Sequence, residues 1–84
     1  MSHWSAFFII SDHAEEISKR IMEEMDRGVT MLDGRGAYTG NEKNVILCVI
    51  RRTQITQLKD LINEIDPKAF VLVADVREVM GEGF

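Results

Sequence analysis

Two uninterrupted apolar runs constrain the fold of this chain more than any other feature of its sequence. Each run is six residues long, at residues 45–50 and 69–74 of an 84-residue chain. A membrane-spanning helix needs roughly 20 apolar residues, so neither run can cross a bilayer. The first run therefore predicts a central strand at residues 44–51 that is covered on both faces, and the second predicts another strand at residues 69–75.

The first third of the chain predicts a strand followed by a helix. The aromatic and β-branched residues at positions 5–10 favour a pleated surface. Asp12 and Glu15 resemble a capping box at the start of a helix. Apolar residues then recur at spacings of three and four as far as about Arg27, and Gly28 is expected to end the helix.

The remaining segments extend this pattern. Residues 29–32 predict a short second strand, and the glycine-rich segment after it, residues 33–44, predicts a bulged strand and a turn. Thr53 can cap a second helix, which ends before Pro67 because the residue preceding a proline avoids helical conformation. Residues 76–80 can form one helical turn, and residues 81–84 are expected to be an irregular tail.

The order strand, helix, strand, strand, helix, strand predicts an α+β fold, the ferredoxin-like βαββαβ sandwich, as a single domain over residues 1–84. Right-handed crossovers place both helices on one face of a four-stranded mixed or antiparallel sheet. Two helices cover one face only, so the other face exposes alternate residues of 45–50. We expect this face to be buried against copies of the chain in a homo-oligomer, either a dimer or a trimer.

Charge and cysteine content limit the possible functions. Asp and Glu number 14 against 10 Lys and Arg, and this net charge of −4 argues against a nucleic-acid partner. Cys48 is the single cysteine, which precludes an internal disulfide and fits a reducing compartment. His3 and His13 make no metal-ligand or catalytic spacing with it, so we expect no metal, no cofactor and no catalytic residues.

The glycine-rich segment is the one candidate binding site. Gly34, Gly36 and Gly40 allow backbone conformations in which successive amides form an anion-binding nest. Charged, aromatic and hydroxyl side chains accompany them: Arg35 can bind a phosphate or carboxylate, Tyr38 can stack on a base, Thr39 offers a hydroxyl and Lys43 adds positive charge. The alternative interpretation is a bulged hairpin in which the glycines serve only the turn.

Two other residues bear on this site. Asp33 either repels an anion or binds a metal together with a phosphate ligand, and Phe84 can close the cleft as a lid. An acylphosphatase-type enzyme is a further alternative for this fold, with Asn41 or Asn44 positioning a water molecule. The loop pattern that such an enzyme requires is missing from the chain.

Four segments resemble, in order, the C-terminal soluble domain of YitT-type bacterial multi-pass membrane proteins. They are residues 28–40, which read GVTMLDGRGAYTG, and residues 44–49, 64–70 and 75–84. The resemblance spans roughly residues 7–84. Residues 1–6 fall outside it, and residues 1–4 are expected to be disordered or to come from an expression vector.

This resemblance implies that several membrane helices precede the domain, which would lie at the cytoplasmic face of the bacterial plasma membrane. The domain has no assigned activity in that family. Its fold is similar to that of PII-like signalling proteins, trimers that bind nucleotides between subunits and regulate transporters. The chain lacks their long loop between the second and third strands.

Two functional hypotheses follow from the sequence. In the first, the chain is a non-enzymatic regulatory domain that oligomerises and binds a small anion, which can be a nucleotide, near Asp33–Gly40. In the second, it is a ligand-free oligomerisation module. The two differ in whether substitutions at Arg35 and Tyr38 affect binding.

Overall fold

The computed structural model describes residues 3–81, in which two α-helices cover one face of a four-stranded sheet. The elements are β1 (Trp4–Ile10), α1 (Ala14–Met25), β2 (Thr30–Arg35), β3 (Glu42–Arg51), a 3₁₀ turn (Arg52–Gln54), α2 (Ile55–Ile65) and β4 (Phe70–Val76). The strand order is β2-β3-β1-β4, and each neighbouring pair is antiparallel. The predicted ferredoxin-like βαββαβ arrangement is confirmed.

The hydrophobic core lies between the helices and one face of the sheet. Alternate residues of β3, namely Ile46, Cys48 and Ile50, are completely buried there. They pair across the sheet with residues of β1 that include Phe7 and Ile9, which are also completely buried. The helices contribute their apolar stripes, which consist of Ala14, Ile17, Ile21 and Met25 on α1 and Leu58, Leu61 and Ile62 on α2.

Only one face of β3 is buried within the chain. Val45, Leu47 and Val49 alternate with the core residues and are half-buried. The expectation that this strand is covered on both faces is therefore not met by a single copy of the chain.

The boundaries of α1 differ from the prediction. The predicted capping box does not form, because the N-cap is His13 and no side chain caps the helix. Instead, Ser11 Oγ accepts a hydrogen bond from the His13 amide at 2.9 Å and donates one to Asp66 Oδ2 at 2.6 Å. At the other end the helix stops at Met25, and Asp26 takes the left-handed conformation (φ 55°) that was expected of Gly28.

The segments around α2 also require corrections. Thr53 lies inside the 3₁₀ turn and does not cap the helix, although α2 ends before Pro67 as predicted. The predicted helical turn at residues 76–80 is wrong, because Val76 is the last residue of β4, where it pairs with Trp4. A single helical turn restricts the backbone of several residues but forms only one hydrogen bond. Extending β4 instead pairs Val76 with Trp4 of β1.

The N-terminal strand begins earlier than predicted. Trp4 belongs to β1, and the His3 carbonyl accepts a hydrogen bond from the Arg52 amide at 2.8 Å. Residues 1–2 and residues 82–84, which include Phe84, lie outside the described residues.

Neither α1 nor α2 has the length and hydropathy of a transmembrane helix, and no other helix occurs between residues 3 and 81 apart from the 3₁₀ turn.

Candidate functional site

The glycine-rich segment forms the hairpin that joins β2 to β3. The two strands keep a regular register from Thr30 opposite Leu47 to Arg35 opposite Glu42, so the predicted bulge is absent from this ladder. Beyond it, the Gly36 amide donates to the Asn41 carbonyl at 2.8 Å. The Gly40 amide donates to the Gly36 carbonyl, also at 2.8 Å.

The glycines and Thr39 build the turn itself. Gly40 has a φ of +75°, a backbone conformation that residues other than glycine rarely adopt. A Cβ atom at Gly36 would lie 2.9 Å from Thr39 Oγ1, which accepts a hydrogen bond from the Asn41 amide at 3.2 Å. Because the amides of Gly36, Gly40 and Asn41 all have partners within the turn, they do not form the predicted anion-binding nest.

The predicted ligand-binding side chains do not converge on one surface. Strand alternation places Asp33 and Arg35 on the face of β2 that carries the helices. Lys43 lies opposite Gly34 and points to the other face. Tyr38 is fully exposed at the tip of the turn.

A shallow cavity of about 520 Å³ lies beside the hairpin. The residues that line it include two basic ones, Arg35 and Lys43, and two acidic ones, Asp33 and Glu42. The positive charge available to an anion is therefore offset locally. No group of three His, Cys, Asp or Glu residues within residues 3–81 is placed to hold a metal ion.

The sheet face without helices is the larger feature, and we call it the open face. Its residues point away from α1 and α2, and most of them are apolar. They are Trp4, Ala6, Phe8 and Ile10 of β1, Thr30, Leu32 and Gly34 of β2, Lys43, Val45, Leu47, Val49 and Arg51 of β3, and Phe70, Leu72, Ala74 and Val76 of β4.

Exposure on the open face is substantial for large apolar side chains. Phe70 is 61% exposed, Leu72 is 49% exposed and Leu32 is 39% exposed. The apolar run at residues 45–50 pointed to this face, but Leu32 and Phe70 were not singled out from the sequence. Side chains alternate between the two faces along β2 and β4, as they do along β3. Comparing this alternation among the three strands would have identified Leu32 and Phe70.

Sequence comparison relates the chain to bacterial proteins. Residues 27–81 match the family model described as "Uncharacterized protein conserved in bacteria (DUF2179)". The chain is 51% identical over 76 residues to UPF0750 membrane protein YpjC, and 33% identical over 73 residues to UPF0750 membrane protein YitT, both from Bacillus subtilis (strain 168). These alignments cover 90% and 87% of the chain, which spans 26% of the length of each relative.

Solved structures agree with this assignment. A DUF2179 protein from Eubacterium ventriosum is 39% identical with a TM-score of 0.74, over 84% of this chain and 97% of that one. A functionally unknown protein from Pediococcus pentosaceus ATCC 25745 is only 13% identical but has a TM-score of 0.79, over 98% of this chain and 100% of that one, which indicates a shared fold. The chain therefore belongs to the DUF2179 family and corresponds to a domain that occurs within larger UPF0750 membrane proteins.

Proposed function

We propose that this domain is a non-enzymatic assembly module of a membrane protein, in which the open faces of two or three copies pack against each other. The observation that carries the proposal is the apolar open face itself. Strands about 4.8 Å apart, with about 3.4 Å per residue, give a four-stranded face of roughly 450 Å² in projection. Apolar patches of about 300–600 Å² are already the largest on typical monomers, and they often mark interaction sites.

The similarity to UPF0750 membrane proteins supports a tether between the domain and membrane helices. The relatives are about three and a half times as long as the chain, and their names describe membrane proteins. In this proposal the membrane helices precede the domain, which lies at the cytoplasmic face. Assembly of the domain would then bring the membrane parts of neighbouring proteins together.

Analytical ultracentrifugation of the wild type and two matched variants tests the assembly. Leu72 on the open face and Met22 on α1 are almost equally exposed, at 49% and 50%. Leu72→Lys and Met22→Lys therefore add the same charge in place of similar apolar side chains. We expect Leu72→Lys to raise the dissociation constant of the oligomer at least about tenfold, since it would bury an unpaired charge.

Met22→Lys is expected to sediment like the wild type. Circular dichroism of both variants checks that the monomer still folds. A wild-type chain that stays monomeric at high protein concentration would contradict the proposal, and so would equal weakening by both substitutions.

A second candidate function is the binding of a small anion at the hairpin. The observation that favours it is the cavity that Arg35 and Lys43 line together. Tyr38 would stack on the ligand and Phe84 would cover it, in a cleft completed by a neighbouring copy. Ligand binding would regulate the membrane part if the ligand has different affinities for two states of the protein.

A thermal-shift panel of nucleotides, cyclic dinucleotides and small carboxylates, with and without magnesium, tests this second function. A ligand at 100 times its dissociation constant should raise the melting temperature by roughly ten degrees or more. Arg35→Ala should abolish that shift, whereas Lys19→Ala, an exposed change on α1, should retain it. An unchanged shift in Arg35→Ala would remove the support for binding at the hairpin.

A further inference from the structure

Trp4 lies at one end of the sheet, beside two arginines. The register places it opposite Arg51 on β3 and opposite Val76 on β4. The Arg51 guanidinium carbon lies 3.9 Å from the centroid of the indole ring, and that of Arg27 lies 5.4 Å from it. Both distances are within the range of cation–π attraction, so the ring and the two charges form one cluster.

Two more arginines extend this cluster, and we call the whole group the basic end: Arg27, Arg51, Arg52 and Arg77, with His3 and Trp4. Arg52 follows Arg51 directly, and its amide hydrogen-bonds to the His3 carbonyl. Arg77 follows Val76 at the end of β4 and is exposed, as are Arg51 and Arg52. A cavity of about 550 Å³ lies here, and within residues 3–81 the residues that line it, His3, Arg51, Arg52 and Thr53, include no acidic side chain.

The opposite end of the molecule has the reverse charge balance. The cavity there is lined by five carboxylates and two lysines: Asp12, Glu15, Glu16, Glu42, Asp66, Lys43 and Lys68. Acidic residues also occur near the basic end, where Asp26 and Glu78 adjoin arginines and Asp75 lies on the helix side of β4. The cavity nevertheless remains lined by basic and neutral groups, in a chain with a net charge of −4.

We propose that the basic end docks on the anionic phospholipid headgroups of the membrane to which the protein is tethered. This inference rests on the proposed tether, because the polypeptide enters the domain beside Trp4, at the basic end. Membrane helices that precede the domain would hold this end nearest to the bilayer. Arginine forms bidentate hydrogen bonds with phosphate, and tryptophan favours the interface between headgroups and hydrocarbon.

Vesicle binding by the 84-residue chain tests the proposal. The protein is mixed with vesicles of phosphatidylcholine alone, or of phosphatidylcholine with 30% phosphatidylglycerol, and bound protein is separated by flotation. Trp4 is the only tryptophan, so a blue shift of its fluorescence on adding vesicles at constant protein concentration reports on contact at the basic end. We expect binding and a blue shift with the anionic vesicles only, and both should disappear as salt screens the charges.

Paired substitutions locate the surface that binds. The double variant Arg52→Gln/Arg77→Gln removes two charges from the basic end. It keeps Arg27 and Arg51, the two arginines that contact the Trp4 ring. Each basic residue near an anionic membrane strengthens binding about fivefold, so this variant should bind roughly 30-fold more weakly. Lys19→Gln with Lys68→Gln removes the same charge elsewhere and should bind nearly as well as the wild type.

Three results would overturn the proposal: equal binding to neutral vesicles, equal weakening by the two double variants, or no binding to anionic vesicles. Saturable binding of soluble glycerol phosphate without vesicle binding would instead identify a site for a free anion. The oligomeric state is measured separately by ultracentrifugation. A monomeric chain that still binds anionic vesicles would contradict the assembly proposal and leave lipid docking intact.

Discussion

The two faces of β3 have almost the same side-chain chemistry but very different burial. Ile46, Cys48 and Ile50 are completely buried under the helices, whereas Val45, Leu47 and Val49 on the open face are half-buried. The difference comes from the layer above each face and not from the strand itself. An apolar strand therefore indicates that a surface needs covering, but not whether a helix or another molecule covers it.

The strongest test of this contrast compares Phe7 with Phe8, neighbours in β1 that point to opposite faces. Phe7 is completely buried in the core, so Phe7→Ala should lower the free energy of unfolding by about 3–5 kcal/mol. Phe8 is half-buried on the open face, so Phe8→Ala should cost a dilute monomer only about 1–2 kcal/mol. Urea unfolding followed by circular dichroism measures both values.

Protein concentration sharpens the same comparison. If open faces pack together, the cost of Phe8→Ala should grow with protein concentration, whereas the cost of Phe7→Ala should not grow in this way. Because Phe7→Ala removes much of a small domain's stability, Phe7→Leu serves as a milder second variant. Equal costs for the two alanine substitutions in dilute protein would contradict the burial difference.

The next largest effect is a loss of stability at high pH that depends on Cys48. Burial raises the pKa of this thiol from 9.0 to about 11, so the folded chain holds the proton more tightly than the unfolded chain does. The stability contribution is therefore fully present below pH 9 and is lost as the pH rises towards 11. The total loss should be about 2–3 kcal/mol.

Urea unfolding between pH 8 and pH 11 measures this loss. Cys48→Ala is less stable at every pH because it leaves a cavity, but it should lack the additional decline above pH 9. Contributions from all other groups are common to both proteins and cancel in the difference. Parallel pH profiles for the two proteins would show that the thiol is accessible to water.

The smallest expected effect is a gain of stability at Ser5, on the helix side of β1. Its side chain is buried, and its hydroxyl oxygen has no hydrogen-bond partner among the described residues. Ser5→Ala should raise the free energy of unfolding by about 1 kcal/mol, since it removes an unsatisfied buried group. Ser18→Ala is the matched control, because Ser18 Oγ is also buried but donates to Met31 Sδ at 3.7 Å. A loss of stability in Ser5→Ala would indicate that the hydroxyl is satisfied in solution.

Local sequence patterns predicted the elements well but their ends less well. Asp66 before Pro67 ends α2 as expected, because the proline ring acts on its immediate neighbour. The ends of α1 were missed because Ser11 bonds to Asp66, 55 positions away, and Asp26 adopts the left-handed conformation without a glycine. Such partners depend on how distant segments pack, which a local pattern does not contain.

The candidate binding site shows the same limit. Glycines in residues 33–44 predicted a turn, and the hairpin confirms it. The sequence did not show that the Gly36 amide is unavailable to a ligand, because that depends on its hydrogen bond to the Asn41 carbonyl across the turn. The basic end could not be predicted either, since Trp4, Arg27 and Arg51 meet only through strand register and the path of the chain after α1.

The sequence by itself determined the order of the elements, the ferredoxin-like fold and the family, because hydrophobic periodicity and segment order are properties of the chain. It also determined that one apolar sheet face would remain after two helices had packed. Only the tertiary structure decided which residues form that open face, that the Gly36, Gly40 and Asn41 amides are occupied, and that arginines gather around Trp4. These features arise from contacts between residues far apart in sequence, and such contacts are set when register and packing bring the segments together.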